Sequence, residues 1–383
     1  MRPAMCDHPG RGRADALHAD NARRLAHHQA SFYFTPRLLS RPLTFPKIRP
    51  IVSARGCGGR RRPRVLGRLA RGLSAAPLAG TDTVEFNMAR DWESSFSYWA
   101  QPPGKTEQDK CDNAERAIRK AVEASKILQE RDVTVFPQGS YRNRTNIRTE
   151  SDVDIAIRSR ATFFFELPDG TKAKDFGIVT PASYSYDQYK NDVSQALSDY
   201  LGSKAVTRGK KAFDIHENTY RIDADALACF EYRWYREDGT YREGIAFVPD
   251  GGTRVINWPD QNYKNGVTKN DATSRRFKAV VRILKALRSE MATEGVSIAK
   301  QTPSFLIECL VWNVPNEGFG HDTLRADIRY ALAHLCNETR TAESCSEWVE
   351  INEYKYLFHS AQPWTLRDAN TFLNAAWNYI GFE

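Results

Sequence analysis

Gln138-Gly139-Ser140-Tyr141-Arg142-Asn143-Arg144-Thr145-Asn146-Ile147-Arg148-Thr149-Glu150-Ser151-Asp152-Val153-Asp154-Ile155 is the stretch that decides how this chain reads. A Gly-Ser turn can wrap a triphosphate with backbone N–H groups and one hydroxyl. After eleven intervening residues come two carboxylates at i and i+2, set among apolar neighbours. On a β-strand that spacing points Asp152 and Asp154 to one face and buries Val153 and Ile155 on the other. Hard oxygen ligands on one strand suit Mg²⁺, which shares its coordination shell with substrate phosphates. The stretch points to metal-dependent nucleotidyl transfer.

Such a reaction needs a third carboxylate, because two metals clamp the attacking and leaving oxygens of an in-line displacement at phosphorus. Asp223 and Asp225 are both candidates, since they alternate on one face of a strand-like run from Thr219 to Tyr235. Asp225 is favoured because Ala226-Leu227-Ala228-Cys229-Phe230 continues behind it as a buried run. Its expected role is to ligate the metal beneath the acceptor hydroxyl and help remove that proton. A lone Asp-x-Asp is more often a pair of exposed acids, and Gly-Ser turns are common. The weight lies in the combination of turn, gap, apolar acid-bearing strand and second acid strand.

Around this core, periodicity predicts helices over 109–130, 187–201, 271–291, 304–312, 321–337 and 365–379. Strands are expected at 133–136, 152–157, 211–216 and 219–235. Asp271 and Thr302-Pro303 read as helix starts, and Asn257 to Asn270 as a Gly-, Asn- and Asp-rich loop. The first half therefore mixes strands and helices, while the second is mainly helical. In that second half Lys278, Arg282 and Lys285 fall on one helical stripe able to neutralise a triphosphate, or to form a solvated face. Ser304, in the first turn of a helix, suits an anion; it is equally natural as a helix-start residue. Phe305 suits a stacked base or core packing. Arg142, Arg144 and Arg148 surround the Gly-Ser turn, either as phosphate contacts or as ordinary loop arginines.

Composition sets the bounds. The chain has 383 residues, 41% hydrophobic and 11% aromatic, enough for two lobes. No apolar run approaches a membrane span. Seven cysteines without a C-x-x-C pair argue for a reducing interior, hence a cytoplasmic protein. The net charge of +8 is misleading. Residues 1–87 hold 16 Lys and Arg against 5 Asp and Glu, so the remainder carries a net −3. That prefix lacks sustained periodicity. Its readings are a translated upstream stretch with the start at Met88, a basic tail that binds nucleic acid, or a transit peptide. The division expected is 1–87 as extension, 88–250 as catalytic lobe and 251–383 as helical lobe.

Several segments together resemble one family. They are Gln138-Gly139-Ser140, Asp152-Val153-Asp154, the Asp225 strand with Cys229-Phe230-Glu231-Tyr232-Arg233, and Asn257-Trp258-Pro259 with Asn265-Gly266 and Lys269-Asn270. Phe277-Lys278, Val281-Arg282-Ile283-Leu284-Lys285 and Pro303-Ser304-Phe305-Leu306-Ile307-Glu308-Cys309-Leu310 complete the set. About residues 90–383 resemble the bacterial CD-NTases, the cyclic GMP-AMP synthase/DncV-like nucleotidyltransferases of the polymerase-β-like superfamily, most like the E-type branch. The resemblance implies an α+β fold: a mixed-sheet catalytic lobe and a C-terminal helical lobe forming a two-lobed cage, joined by a long N-terminal helix. It implies two nucleoside triphosphates joined twice, with two Mg²⁺ ions that Mn²⁺ can replace, to a cyclic di- or trinucleotide. That diffusible product would act on a separate effector in anti-phage defence. Asp152, Asp154 and Asp225 would hold the metals; Gln138, Gly139, Ser140, Lys278, Arg282, Ser304 and Phe305 would contact nucleotide. A monomer working without nucleic acid or membrane is expected, in keeping with the slightly acidic body. Two rivals stand beside this: transfer of a single nucleotide to RNA, protein or a small molecule, and a nucleic-acid-binding protein with an inactive transferase scaffold.

Overall fold

The computed structural model describes residues 4–5, 90–148 and 152–383. Apart from a two-residue strand, β1 (Ala4–Met5), the 1–87 extension lies outside the described residues. The catalytic half is built on one mixed sheet of eight strands. Its spine is a parallel pair, β3 (Val153–Glu166) and β6 (Ala224–Tyr235). β2 (Val133–Pro137) runs antiparallel to the first half of β3, and β1 runs parallel to its second half. On the other side, β5 (Phe213–Ile215) pairs antiparallel with the start of β6 and with β4 (Val206–Arg208). β7 (Tyr241–Phe247) pairs antiparallel with the end of β6 and with β8 (Val255–Asn257).

Alternation along β3 does what its sequence requires. Val153, Ile155 and Ile157 are fully buried, against α2 (Lys105–Ala124) and α5 (Tyr186–Leu201). α2 contributes Cys111, Ala114, Ile118, Ala121 and Val122, spaced three or four apart so that they share one face. α5 begins with a reciprocal capping box between Ser185 and Gln188. Two of its tyrosines tie it to the sheet by donating to the carbonyls of Ala228 and Ile157. The long helix expected over 109–130 is interrupted: Ser125 takes an extended conformation (φ −86, ψ 110) and caps the short α3 (Lys126–Gln129). α4 (Gly139–Asn143) is the single turn that carries the Gly-Ser motif.

The helical half holds α6 (Pro259–Ala272), α7 (Arg276–Thr293), α8 (Ser297–Gln301), α9 (Ser304–Trp312), α10 (Leu324–Glu338) and α11 (Leu366–Ile380). They surround a second apolar core, joined from the N-terminal side by α1 (Trp92–Trp99) through the fully buried Phe96.

Three local expectations are corrected. Residues 257–270 are mostly helix, not loop: Pro259 opens α6 at its first position. Asn265 is fixed by donating to the Ile351 carbonyl at 2.7 Å, so tertiary contacts override poor helix formers. Asp271 ends α6 and does not cap α7. The free N–H groups of α7 go instead to the Thr273 hydroxyl (from Phe277, 3.1 Å) and the Asn270 amide oxygen (from Lys278, 3.1 Å). Thr302 does not cap α9 either; its hydroxyl turns back and donates to the Ile298 carbonyl.

Candidate active site

Parallel register places Asp154 of β3 directly beside Asp225 of β6, and antiparallel register places Asp214 of β5 on the other side of Asp225. Directly paired residues share a face, so three acids form one row across three adjacent strands. Asp152 stands two residues before Asp154 on that face, exposed at the strand's mouth. Asp223 belongs to the row by position, but its carboxylate accepts from the Glu217 backbone N–H at 2.6 Å. It holds a turn, whereas Asp225 faces its neighbouring acids.

The row is only partly compensated by positive charge. Burial pushes the Asp154 carboxyl up to about 7, helped by the charges of Asp225 and Asp152 and only partly opposed by Lys285. Burial and then the facing Asp214 push Asp225 up to about 6. Carboxylates so placed resist ionising together. Among the described residues no three acid, histidine or cysteine side chains are already gathered round one point. The donor set is nonetheless all hard oxygen, on rigid paired strands, and short of positive charge, which fits divalent magnesium.

The Gly-Ser turn is locked against this row. The Gln138 N–H donates to the Asp154 carbonyl at 2.8 Å. Gly139 has φ +61, and a Cβ there would lie 2.0 Å from Asp154 Oδ2. Glycine is therefore required twice over, by backbone angle and by closeness. Its N–H and the Ser140 hydroxyl, which makes no hydrogen bond among the described residues, sit at the head of α4 beside the acids.

α7 lies close enough to the row for its Lys285 to act on Asp154. Its stripe is buried rather than solvated. Arg282 donates from Nε to the Ala100 carbonyl (2.7 Å) and from Nη1 to the Arg144 carbonyl (2.6 Å). It thereby pins α7 to the end of α1 and to the end of the Gly-Ser helix. Lys285 forms a buried ion pair with Glu308 of α9 at 3.0 Å. Lys278 has no hydrogen bond from its ammonium among the described residues. Burial, and the charges of Arg282 and Arg144, hold its pKa below the ordinary lysine value. Ser304 accepts from Arg288 Nη2 at 3.1 Å. Phe305 is partly buried against the helical core, 6.3 Å from the Trp364 ring.

The sequence reading missed two participants. Asp214 lies in the strand expected over 211–216, but its place beside Asp225 comes only from the antiparallel register of β5 with β6. Glu308 lies inside an apolar helix, where a buried acid beside Lys285 is visible only once α7 and α9 meet.

Comparison with known proteins follows the same lines. Residues 264–381 match the cGAS/DncV-like nucleotidyltransferase C-terminal helical domain. The chain is 43% identical over 297 residues to the cyclic dipyrimidine nucleotide synthase CdnE of Legionella pneumophila, covering 76% of this chain and 99% of that protein. It belongs to the cGAS/DncV-like nucleotidyltransferases. A second cyclic dipyrimidine nucleotide synthase CdnE of this family, from Cecembia lonarensis, is 40% identical, covering 77% and 100% of the two chains. The solved CdnE cyclic dinucleotide synthase of Elizabethkingia meningoseptica, captured with GTP and Apcpp, superposes with a TM-score of 0.64 at 32% identity, covering 76% and 99%. Membership establishes the polymerase-β-like fold and cyclic nucleotide synthesis as the activity. No helix among the described residues is long and apolar enough to cross a membrane. The five described cysteines are free and buried.

Proposed function

We propose that this nucleotidyltransferase joins two pyrimidine nucleoside triphosphates into a cyclic dinucleotide, with Asp152, Asp154 and Asp225 as the magnesium-holding acids. The observation that carries the site is the side-by-side register of Asp154 and Asp225, with Gly139 pressed against Asp154. Pyrimidine choice rests on the two relatives at 43% and 40% identity, both named cyclic dipyrimidine nucleotide synthases.

Two Mg²⁺ ions, or Mn²⁺ in their place, would neutralise the polyphosphate and lower the pKa of the attacking hydroxyl. The chain's own residues do the rest. Gln138 fixes the turn on β3, while the Gly139 N–H and Ser140 hydroxyl hold the donor's phosphates. Asp225, on the acceptor side, orients the attacking hydroxyl and receives or relays its proton. Lys278, Lys285 and the remaining Nη2 of Arg282 supply positive charge to the polyphosphate and the leaving pyrophosphate. Ser304 adds a hydroxyl and Phe305 an apolar edge at the head of α9. The first transfer gives a linear dinucleotide that keeps one triphosphate, and the second closes the ring at the same acids.

The enzyme is proposed to act as a cytoplasmic monomer without a nucleic-acid activator, its product reaching a separate effector in anti-phage defence. Mass spectrometry of products from all four ribonucleoside triphosphates with Mg²⁺ tests the reading. Phosphatase-resistant cyclic dinucleotide with two pyrimidines is expected. A linear product only, or no product without an added acceptor, overturns cyclic synthesis; a purine-containing ring overturns the pyrimidine choice alone.

A further inference from the structure

A chain of contacts links the acid row to α6, α7 and α9. Asp154 touches the Gly139 backbone. Arg142, in the same single turn, reaches α6, with its guanidinium carbon 5.1 Å from the Tyr263 ring centre and Nη2 paired to Asp260. Lys278 of α7 stands 5.8 Å from the same ring. Glu308 acts electrostatically on both Lys278 and Asp154, and its ion pair with Lys285 completes the chain.

Tyr263 carries both of these cations on its ring. Tyr263 is 37% exposed, and its hydroxyl makes no hydrogen bond among the described residues. Both flanking cations also have unmade bonds: Arg142 Nη1 is buried without a partner, and the Lys278 ammonium has none among the described residues. Two cations on one ring repel each other and pull in negative charge. An aromatic face between unsatisfied cations has the chemistry of a nucleotide seat, a π surface for the base with donors for phosphate.

We propose that Tyr263, with Arg142 and Lys278, seats one of the two nucleotides: the base packs on the exposed part of the Tyr263 ring and the phosphates take the open donors of Arg142 and Lys278. This rests on the nucleotidyltransferase reading for the kind of ligand. It adds a binding residue on α6.

The test measures binding of non-hydrolysable analogues of UTP, CTP, ATP and GTP by calorimetry, with Mg²⁺, alongside KM and kcat. Tyr263→Ala and Tyr263→Leu are each expected to weaken binding of at least one analogue about tenfold, and to raise KM more than they lower kcat. Tyr263→Phe keeps near-wild-type binding. Lys278→Ala weakens triphosphate analogues more than the matching monophosphates. Wild-type binding of every analogue by both Tyr263→Ala and Tyr263→Leu overturns the proposal. Rescue by leucine alone also overturns it, because bulk without a π face would then suffice. Product mass spectrometry on the wild type keeps the two readings separate: lost cyclic synthesis with a Tyr263 effect intact refutes only the product assignment.

Discussion

The sheet wall and the helix wall of the cleft carry opposite charges in opposite conditions. On the sheet, Asp154, Asp225 and Asp214 stand side by side and form no ion pair among the described residues, and burial and mutual repulsion raise the first two toward neutral pH, opposed in part by Lys285. On the helix, two of the three bases already have protein partners. Arg282 holds two backbone carbonyls and Lys285 holds Glu308, whereas Lys278 has no hydrogen-bond partner for its ammonium among the described residues. The acids are strained toward a ligand, whereas the bases chiefly hold the lobes in place to receive it. Single substitutions should therefore cost activity alone on the sheet, and stability as well as activity on the helix.

The largest effect expected is from Asp152→Ala combined with Asp154→Ala. Product should fall below detection by mass spectrometry while the melting temperature stays within a few degrees. Retained synthesis would remove the sheet wall from the chemistry. Next comes Lys285→Met, which strands Glu308 as a buried charge and should cost about 3–5 kcal/mol in denaturant unfolding. Adding Glu308→Leu should restore most of the stability but not the synthesis. Arg282→Ala should cost about 3 kcal/mol, because two charge-assisted hydrogen bonds vanish and two carbonyls lose their donor. Its activity should fall with the folded fraction and further through the lost Nη2 charge, and full activity in a stable Arg282→Ala protein would break the comparison on the helix side. Gly139→Ala forces a Cβ onto Asp154 at positive φ, a strain of about 1–3 kcal/mol, with activity lost well beyond the loss in stability. The smallest effect is the reverse in sign: Asp154→Asn should raise the metal-free melting temperature by a few degrees, since it removes one of the repelling charges. A lower melting temperature would show that the row is compensated after all.

The same contrast explains what was legible in the sequence. The sheet wall was readable because a strand's two-residue period puts Asp152 and Asp154 on one face by spacing alone. The Asp225 strand was readable by its apolar continuation. The strand of its partner Asp214 was expected too, but not its register beside Asp225, which is set by long-range pairing of β5 with β6. The helix wall showed its charges but not their tasks: whether Arg282 meets a phosphate or the carbonyls of Ala100 and Arg144 depends on contacts 138 and 182 residues away in sequence. The stretch 257–270 read as loop because Gly and Asn are poor helix formers, and α6 is held by packing that no local window contains. That misreading hid Tyr263, whose face toward Arg142 and Lys278 exists only because the segment is helical.

The central claim is that the acid row is the metal and nucleotide site. It is tested most directly by the thermal shift on adding Mg²⁺ with a non-hydrolysable nucleoside triphosphate, measured on the wild type and on Asp152→Ala with Asp154→Ala. The account predicts a clear rise in melting temperature for the wild type that the double variant lacks. An equal rise in both proteins would contradict it.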